Sequence, residues 1–203
     1  PPRLAAWWPF DFSPDATTTS DAAHLAPARN VVQLQLDATS APVPGALCMM
    51  SASDNARVPN AGQLGLQFGS GSFSIAAWLN AASSTVGPRA IVEKRILLGG
   101  GTTGQTRGWA LSLIGTQSRL EIGTGVATQM VPGPDVPADT WSHLAVSIDR
   151  AAHEGRWYLN GSPMAAYDFV PIAGNLSSSG DLYMGRVSPP FGTWAPFQGC
   201  IGD

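Results

Sequence analysis

The chain has 203 residues, and its 11 Lys and Arg against 14 Asp and Glu give a formal net charge of −3. The arginines are not clustered, so the sequence lacks the basic stripe that a nucleic-acid-binding protein carries. No apolar stretch reaches the roughly 18 residues that a membrane-spanning helix needs. Nucleic-acid binding and a membrane span are therefore not predicted.

The composition is compatible with an all-β fold. The 23 Gly and 17 Pro residues are scattered among many short apolar runs. This spacing is typical of β-domains in which a turn recurs every ten or so residues. The length fits one β-sandwich with a single core.

The predicted elements follow one another as short strands. Residues 6–11 (AWWPFD) predict an opening strand, and residues 13–44 form a polar loop in which the alternating run 31–36 (VVQLQL) adds one more. Further strands are predicted by residues 45–47 (GAL), 58–59 (VP), 71–78 (GSFSIAAW), 91–94 (IVEK) and 108–113 (GWALSL). Residues 82–88 and the glycine-rich residues 99–108 (GGGTTGQTRG) predict mobile connections at a rim, and the latter lack the ending of a phosphate-binding loop.

Residues 139–164 (DTWSHLAVSIDRAAHEGRWYLNGSPM) carry the most information. Leu144, Val146 and Ile148 alternate with polar residues, as in a half-buried strand. A polar break follows, then an aromatic run that ends at Asn160-Gly161. This dipeptide favours a two-residue hairpin turn, because both residues tolerate positive φ. Residues 182–186 (LYMGR) and 197–201 (FQGCI) complete the series.

In this order the motifs resemble those of laminin-G-like and pentraxin-like domains of the concanavalin A-like lectin/glucanase superfamily. The resemblance covers nearly the whole chain and implies an antiparallel jelly-roll sandwich of two sheets. We expect one laminin-G-like domain over residues 1–203 that lacks the end of its last strand. Such a domain is a fragment of a longer chain or takes a strand from a neighbouring subunit, and a short edge is the alternative.

The tryptophans provide candidates for ligand stacking. Trp78, Trp109, Trp141 and Trp157 lie in strand motifs, where core packing is expected. Trp194 lies in a proline-flanked loop and Trp8 in a strand that exposes one of two neighbouring indoles, so both are candidate ligand-binding residues. Arg107, in the glycine-rich rim loop, is the third. Packing against prolines is the alternative for Trp194.

The resemblance also implies a possible Ca²⁺ ion at a sheet rim, held by carboxylate and carbonyl oxygens. The candidate ligands are Asp15, Asp21 and Asp203. Gly202 replaces an acidic residue that is common at the corresponding position of the family, which weakens this prediction. The alternative is that Asp15 and Asp21 shape turns.

Cys48 and Cys200 are the two cysteines. Because early and late strands are neighbours in the family, we expect a disulfide between them, with two buried thiols as the alternative. The nearby upstream partner that the closing cysteine has in animal laminin-G domains is absent from this sequence.

A catalytic function is not predicted. A glycosidase needs two carboxylates beside the bond that is cleaved, whereas Glu93, Glu121 and Glu154 are widely spaced in the sequence. Glu121 alternates with apolar residues and is expected on a solvated face. His143 is interpreted as a structural, hydrogen-bonding histidine.

The sequence thus predicts a non-catalytic recognition or adhesion module that binds carbohydrate or a protein, extracellular, at the cell surface or secreted. The alternatives are a structural building block whose partners are neighbouring subunits, and a glycan-active hydrolase or lyase of the same superfamily.

Overall fold

The protein is an all-β sandwich, as predicted. The computed structural model describes residues 8, 18–19, 28–30, 35–36, 45–51, 53–60, 66–83, 87–99, 105–168, 174–191 and 194–202. Its strands are β1 Thr18–Thr19, β2 Ala28–Asn30, β3 Gln35–Leu36, β4 Ala46–Met49, β5 Ala56–Val58, β6 Phe73–Ala81, β7 Pro88–Leu97, β8 Thr106–Ile114, β9 Gln117–Thr124, β10 Thr128–Asp135, β11 Ser142–Asp149, β12 Glu154–Leu159, β13 Ser162–Asp168, β14 Leu182–Met184 and β15 Gly199–Gly202. No helix in these residues has the length and apolar character to cross a bilayer.

Two antiparallel sheets form the sandwich. Over the described residues, the first sheet has the strand order β1-β2-β5-β14-β7-β8-β9-β10 and the second has the order β13-β12-β11-β6-β15-β4-β3. Neighbours in the sheets are often distant in sequence, as in a jelly roll. The described edge strand β10 contains Pro132 and Pro134, which have no N–H to offer a further strand.

The core lies between the sheets because the strands alternate. In β6 the odd-numbered residues face inward, from Phe73 to the fully buried Leu79, and in β11 the even-numbered Leu144, Val146 and Ile148 do. Trp109 and Trp157 are buried in this core, as predicted. The same alternation turns the even residues of β6 and the odd residues of β11 to the outer face of the second sheet.

The predicted hairpin after β12 is present. Leu159 pairs with Ser162 across a two-residue turn in which Asn160 and Gly161 have φ of 51° and 78°. Both values lie in the left-handed region that this turn requires, so the Asn-Gly dipeptide determines the register of β12 and β13.

The predicted disulfide is also present. Cys48 in β4 lies directly opposite Cys200 in β15, with the Cα atoms 4.0 Å apart and the sulfurs bonded. The cross-link joins residues 152 positions apart, a loop whose closure is worth about 5 kcal/mol in the chain-entropy model. β15 pairs with β4 on one side and β6 on the other, so residues 199–202 do not form a sheet edge.

Strand β7 carries an unusual number of buried charges: Arg89, Glu93, Lys94 and Arg95 are each at most 3% exposed. Lys94 lies opposite Trp109 on the core side of the first sheet. Its ammonium donates hydrogen bonds to Asn60 Oδ1 at 2.7 Å, Gly180 O at 2.5 Å and Ser178 O at 3.2 Å. Burial lowers the pKa of Lys94 to about 8, although the nearby Asp181 opposes this shift.

This pKa predicts a measurable titration, because Lys94 is the chain's one lysine. In the unfolded chain a lysine titrates near pH 10.4. Between about pH 8 and pH 10 the unfolded state therefore binds more protons than the folded state, and folding stability rises with pH. We expect the lysine Cε resonance in NMR to titrate near pH 8. We also expect the unfolding free energy of the protein relative to Lys94→Met to increase between pH 8 and pH 10. A midpoint above pH 10 would contradict this prediction.

Candidate functional site

An open depression lies on the outer face of the second sheet. It is lined by Trp78 from β6, His143 from β11 and Trp141 just before that strand, together with Asn160 and Gly161 from the hairpin turn. Its volume is about 560 Å³. The two indoles and the imidazole are each partly exposed. We call this surface the aromatic depression.

Strand register holds the rings together. His143 is the direct cross-strand partner of Trp78, and their rings meet edge to face, with centroids 5.3 Å apart and planes at 62°. Gly202 in β15 is the partner of Trp78 on its other side. A Cβ atom at Gly202 would lie 3.4 Å from Trp78 Cβ and 3.5 Å from Trp141 Cζ3. The ring of Trp141 thus reaches across β6 to the glycine.

Asn160 fixes the turn against β11. Its Oδ1 accepts a hydrogen bond from the backbone N–H of His143, and its own N–H donates to the carbonyl of His143, both at 2.8 Å. This pair of bonds occupies the amide oxygen of Asn160. Its Nδ2 group has no partner among the described residues and remains available as a donor.

The sequence interpretation missed this site by assigning Trp78 and Trp141 to the core, and that assignment is wrong. The positions of the two tryptophans in the strand alternation could have shown this. Trp141 is odd-numbered and shares a face with His143, whereas Leu144 and Val146 are even-numbered. Trp78 likewise shares a face with the exposed Ser74 and Ala76. Both indoles therefore point away from the core.

The three predicted ligand-binding residues have three different environments. Trp8 packs against the core. Trp194 lies half-buried over the first sheet, stacked on the guanidinium of Arg95 at 4.6 Å. Arg107 belongs to β8 and not to a rim loop as expected, and its Nε donates to Thr124 O at 3.2 Å. The structure does not bring them into one site, and their binding role stays a prediction.

The predicted calcium ligands Asp15, Asp21 and Asp203 lie outside the described residues. Within the described part of the chain, no group of three or more His, Cys, Asp and Glu side chains is placed to hold a metal ion. The calcium site stays a prediction.

A buried charged cluster lies on the outer face of the first sheet. Arg95 Nε is 2.7 Å from Glu93 Oε2, and Arg95 Nη1 is 2.8 Å from Glu121 Oε1. Glu121 is only 4% exposed, so its predicted solvated position is wrong. Glu93 and Glu121, distant in sequence, both align with Ala110 of the intervening strand β8.

The segment after β14 covers this cluster. The rings of Phe191 and Trp194 stack on the Arg95 guanidinium, at 4.3 and 4.6 Å, and the backbone N–H of Ser188 donates to Glu93 Oε1. Both carboxylates are therefore bound to one arginine and shielded from solvent. Glycoside hydrolysis requires two carboxylates beside the bond that is cleaved. Glu93 and Glu121 lie on one sheet face, but in this arrangement neither of them can contact a sugar.

A laminin-G family model, described as the concanavalin A-like lectin/glucanases superfamily, matches residues 51–203. The chain belongs to this superfamily. No curated protein matches the sequence.

Solved structures share the fold at low identity. The chain is similar to the botulinum neurotoxin serotype G binding domain (TM-score 0.65, 13% identity), covering 91% of this chain and 45% of that one. It is also similar to the binding domain of botulinum neurotoxin DC in complex with rat synaptotagmin II (0.65, 14%, covering 98% and 47%). A third similar structure concerns botulinum neurotoxin type C, whose cell entry is described as dependent on interaction with two ganglioside molecules (0.64, 16%, covering 98% and 47%). The chain spans a little under half of each of these structures.

The buried cluster predicts a large effect of one substitution. Arg95→Met leaves two buried carboxylates without their cation, and we expect a loss of about 3–5 kcal/mol of unfolding free energy in urea denaturation. Arg156→Met is the matched control, because its contact with Glu154 is 3.9 Å long and both side chains are more than half exposed. The control should lose at most about 1 kcal/mol. Equal losses in the two variants would contradict the structural role of Arg95.

Proposed function

We propose that the protein is a non-catalytic recognition module that binds neutral carbohydrate at the aromatic depression. The observation that carries the proposal is the cluster of Trp78, Trp141 and His143 on the solvent side of a rigid sheet. Indole rings offer a large apolar face, which suits the apolar C–H face of a sugar ring. The depression is open, so a ligand would stack on the surface of the sheet.

The polar groups in the depression support a sugar ligand. The imidazole of His143 and the Nδ2 group of Asn160, which has no partner among the residues that the structure describes, can bind hydroxyl groups beside the stacked ring. None of the five residues that line the depression is Asp, Glu, Lys or Arg. A neutral sugar therefore has the advantage over a sulfated or sialylated one, whose charge would lose solvation without gaining a partner.

The buried carboxylates support a function without catalysis. Glu93 and Glu121 are both engaged by Arg95 and lie under Phe191 and Trp194, and they face away from the aromatic depression, on the other sheet. Sugar bound at Trp78 would meet neither of them.

The disulfide supports an extracellular or cell-surface location, because such cross-links persist in oxidising compartments. Similar folds are described with a protein ligand, rat synaptotagmin II, and with gangliosides. These descriptions support recognition of a cell-surface ligand as the general class of function of this chain.

A glycan array tests the proposal. We expect the protein to bind neutral glycans in preference to sialylated and sulfated ones. Trp78→Ala and Trp141→Ala should each weaken binding about 30-fold, the effect of losing about 2 kcal/mol at an aromatic anchor. Tyr183→Ala, which removes an aromatic ring from the outer face of the other sheet, is the control and should bind as the unchanged protein does.

Two results would overturn the proposal: no binding to any glycan, or equal loss in the Tyr183→Ala control. Running the array with calcium and with a chelator also tests the predicted ion. Native mass spectrometry of the same samples distinguishes a monomeric binding module from the alternative of a structural building block.

A further inference from the structure

A second site is indicated at one end of the sandwich, around Arg89. This residue lies opposite the core residue Leu113, so its side chain extends between the two sheets. It is 3% exposed. Its Nη1 donates to Ala82 O at 2.9 Å and its Nη2 donates to Gly115 O at 2.7 Å, which connects the end of the second sheet to the β8–β9 turn of the first.

The guanidinium is incompletely satisfied. A guanidinium has five N–H donors, and two of those of Arg89 have acceptors. Its Nε is buried and has no hydrogen-bond partner within the described part of the chain. No ion pair to Arg89 is formed within the described residues, whereas Arg95 on the same strand has two carboxylates. Burial lowers the pKa of Arg89, but an arginine keeps its charge at neutral pH.

The guanidinium borders a cavity of about 150 Å³. The other lining residues are small or uncharged: Ala81, Ala82, Ser83, Gly115, Thr116, Val136 and Ala138. The acidic residues next to Val136 and Ala138 in the sequence have other contacts. Asp135 accepts from the Thr116 hydroxyl at 2.9 Å, and Asp139 accepts from the Ser83 N–H at 3.4 Å. Both are exposed at the surface and leave Arg89 without a counter-charge.

We propose that this cavity, the Arg89 cavity, binds the carboxylate group of a small organic acid, either free or carried by an acidic sugar. The guanidinium at its wall is a buried positive charge with no carboxylate partner among the described residues, so a bound carboxylate would neutralise it through charge-assisted hydrogen bonds. The alanines and Val136 provide an apolar wall for the carbon atoms next to the carboxylate. The small volume admits the carboxylate and a few carbons, so a sugar ring would remain at the mouth.

The site is separate from the aromatic depression. The two share no lining residue, and one requires an anion while the other lacks charged groups. The proposal therefore does not depend on carbohydrate binding by Trp78 and Trp141.

The test is an NMR titration of the Arg89 Nε–H signal, assigned by its loss in Arg89→Lys. Sodium acetate should shift this signal saturably, with a dissociation constant in the millimolar range, and sodium chloride at equal ionic strength should not. Glucuronate with glucose as its control distinguishes the two sources of the carboxylate. Binding of acetate alone identifies a free acid, and binding of glucuronate as well identifies a site that also accepts an acidic sugar.

Two further variants test whether the shift comes from binding in the Arg89 cavity. Ala138→Leu fills the cavity and leaves the guanidinium with both of its carbonyl acceptors, so it should abolish the acetate-induced shift. Trp78→Ala should retain that shift, which separates this site from the proposed sugar site. The proposal is overturned if chloride produces the same shift, if Ala138→Leu still responds to acetate, or if neither carboxylate shifts the signal.

Discussion

The desolvation of three cations on β7 is the constraint on which the surrounding structure depends. Arg89, Lys94 and Arg95 all leave water when the sandwich forms, and a buried charge without partners costs several kcal/mol. Each cation is stabilised by a different set of groups. Lys94 is surrounded by uncharged oxygens, Arg95 by two carboxylates and two aromatic rings, and Arg89 by two carbonyls. The positions of the loops after β13 and β14 follow from these requirements, because those loops supply many of the partners.

The contrast between the two outer faces explains how this fold can serve for recognition. On the first sheet, Phe191 and Trp194 cover the polar cluster that would otherwise be exposed. On the second, Ser74, Ala76 and Gly202 are small, so the neighbouring indoles stand above the strands and remain accessible. A broad sheet provides a stiff support for such rings, which limits the entropy lost when a ligand binds.

The fold was predictable because the strand motifs occur in the order that the family shows, and the hairpin because the Asn160-Gly161 turn is encoded within two residues. The disulfide followed from the family's order of strands. The site was only partly predictable. The sequence shows that Trp78 shares a strand face with Ser74 and Ala76, but this tryptophan was assigned to the core because it lies in a strand motif. The burial of Glu121 was not visible, because the residues that cover its cluster, such as Trp194, lie some seventy positions later in the chain. The unsatisfied Nε of Arg89 depends on the spatial meeting of two loops and has no sequence pattern.

The location of Lys94 has a chemical consequence for the whole chain. Since this residue is the chain's single lysine and its Nζ is enclosed by carbonyl and amide oxygens, the folded protein presents no lysine amine to its surroundings. Acylating reagents, reducing sugars and enzymes that conjugate lysine would find no lysine amine until the sandwich opens. When the reagent reacts faster than the sandwich recloses, modification of that amine would proceed at the rate of unfolding, so that one residue would record how often the domain opens.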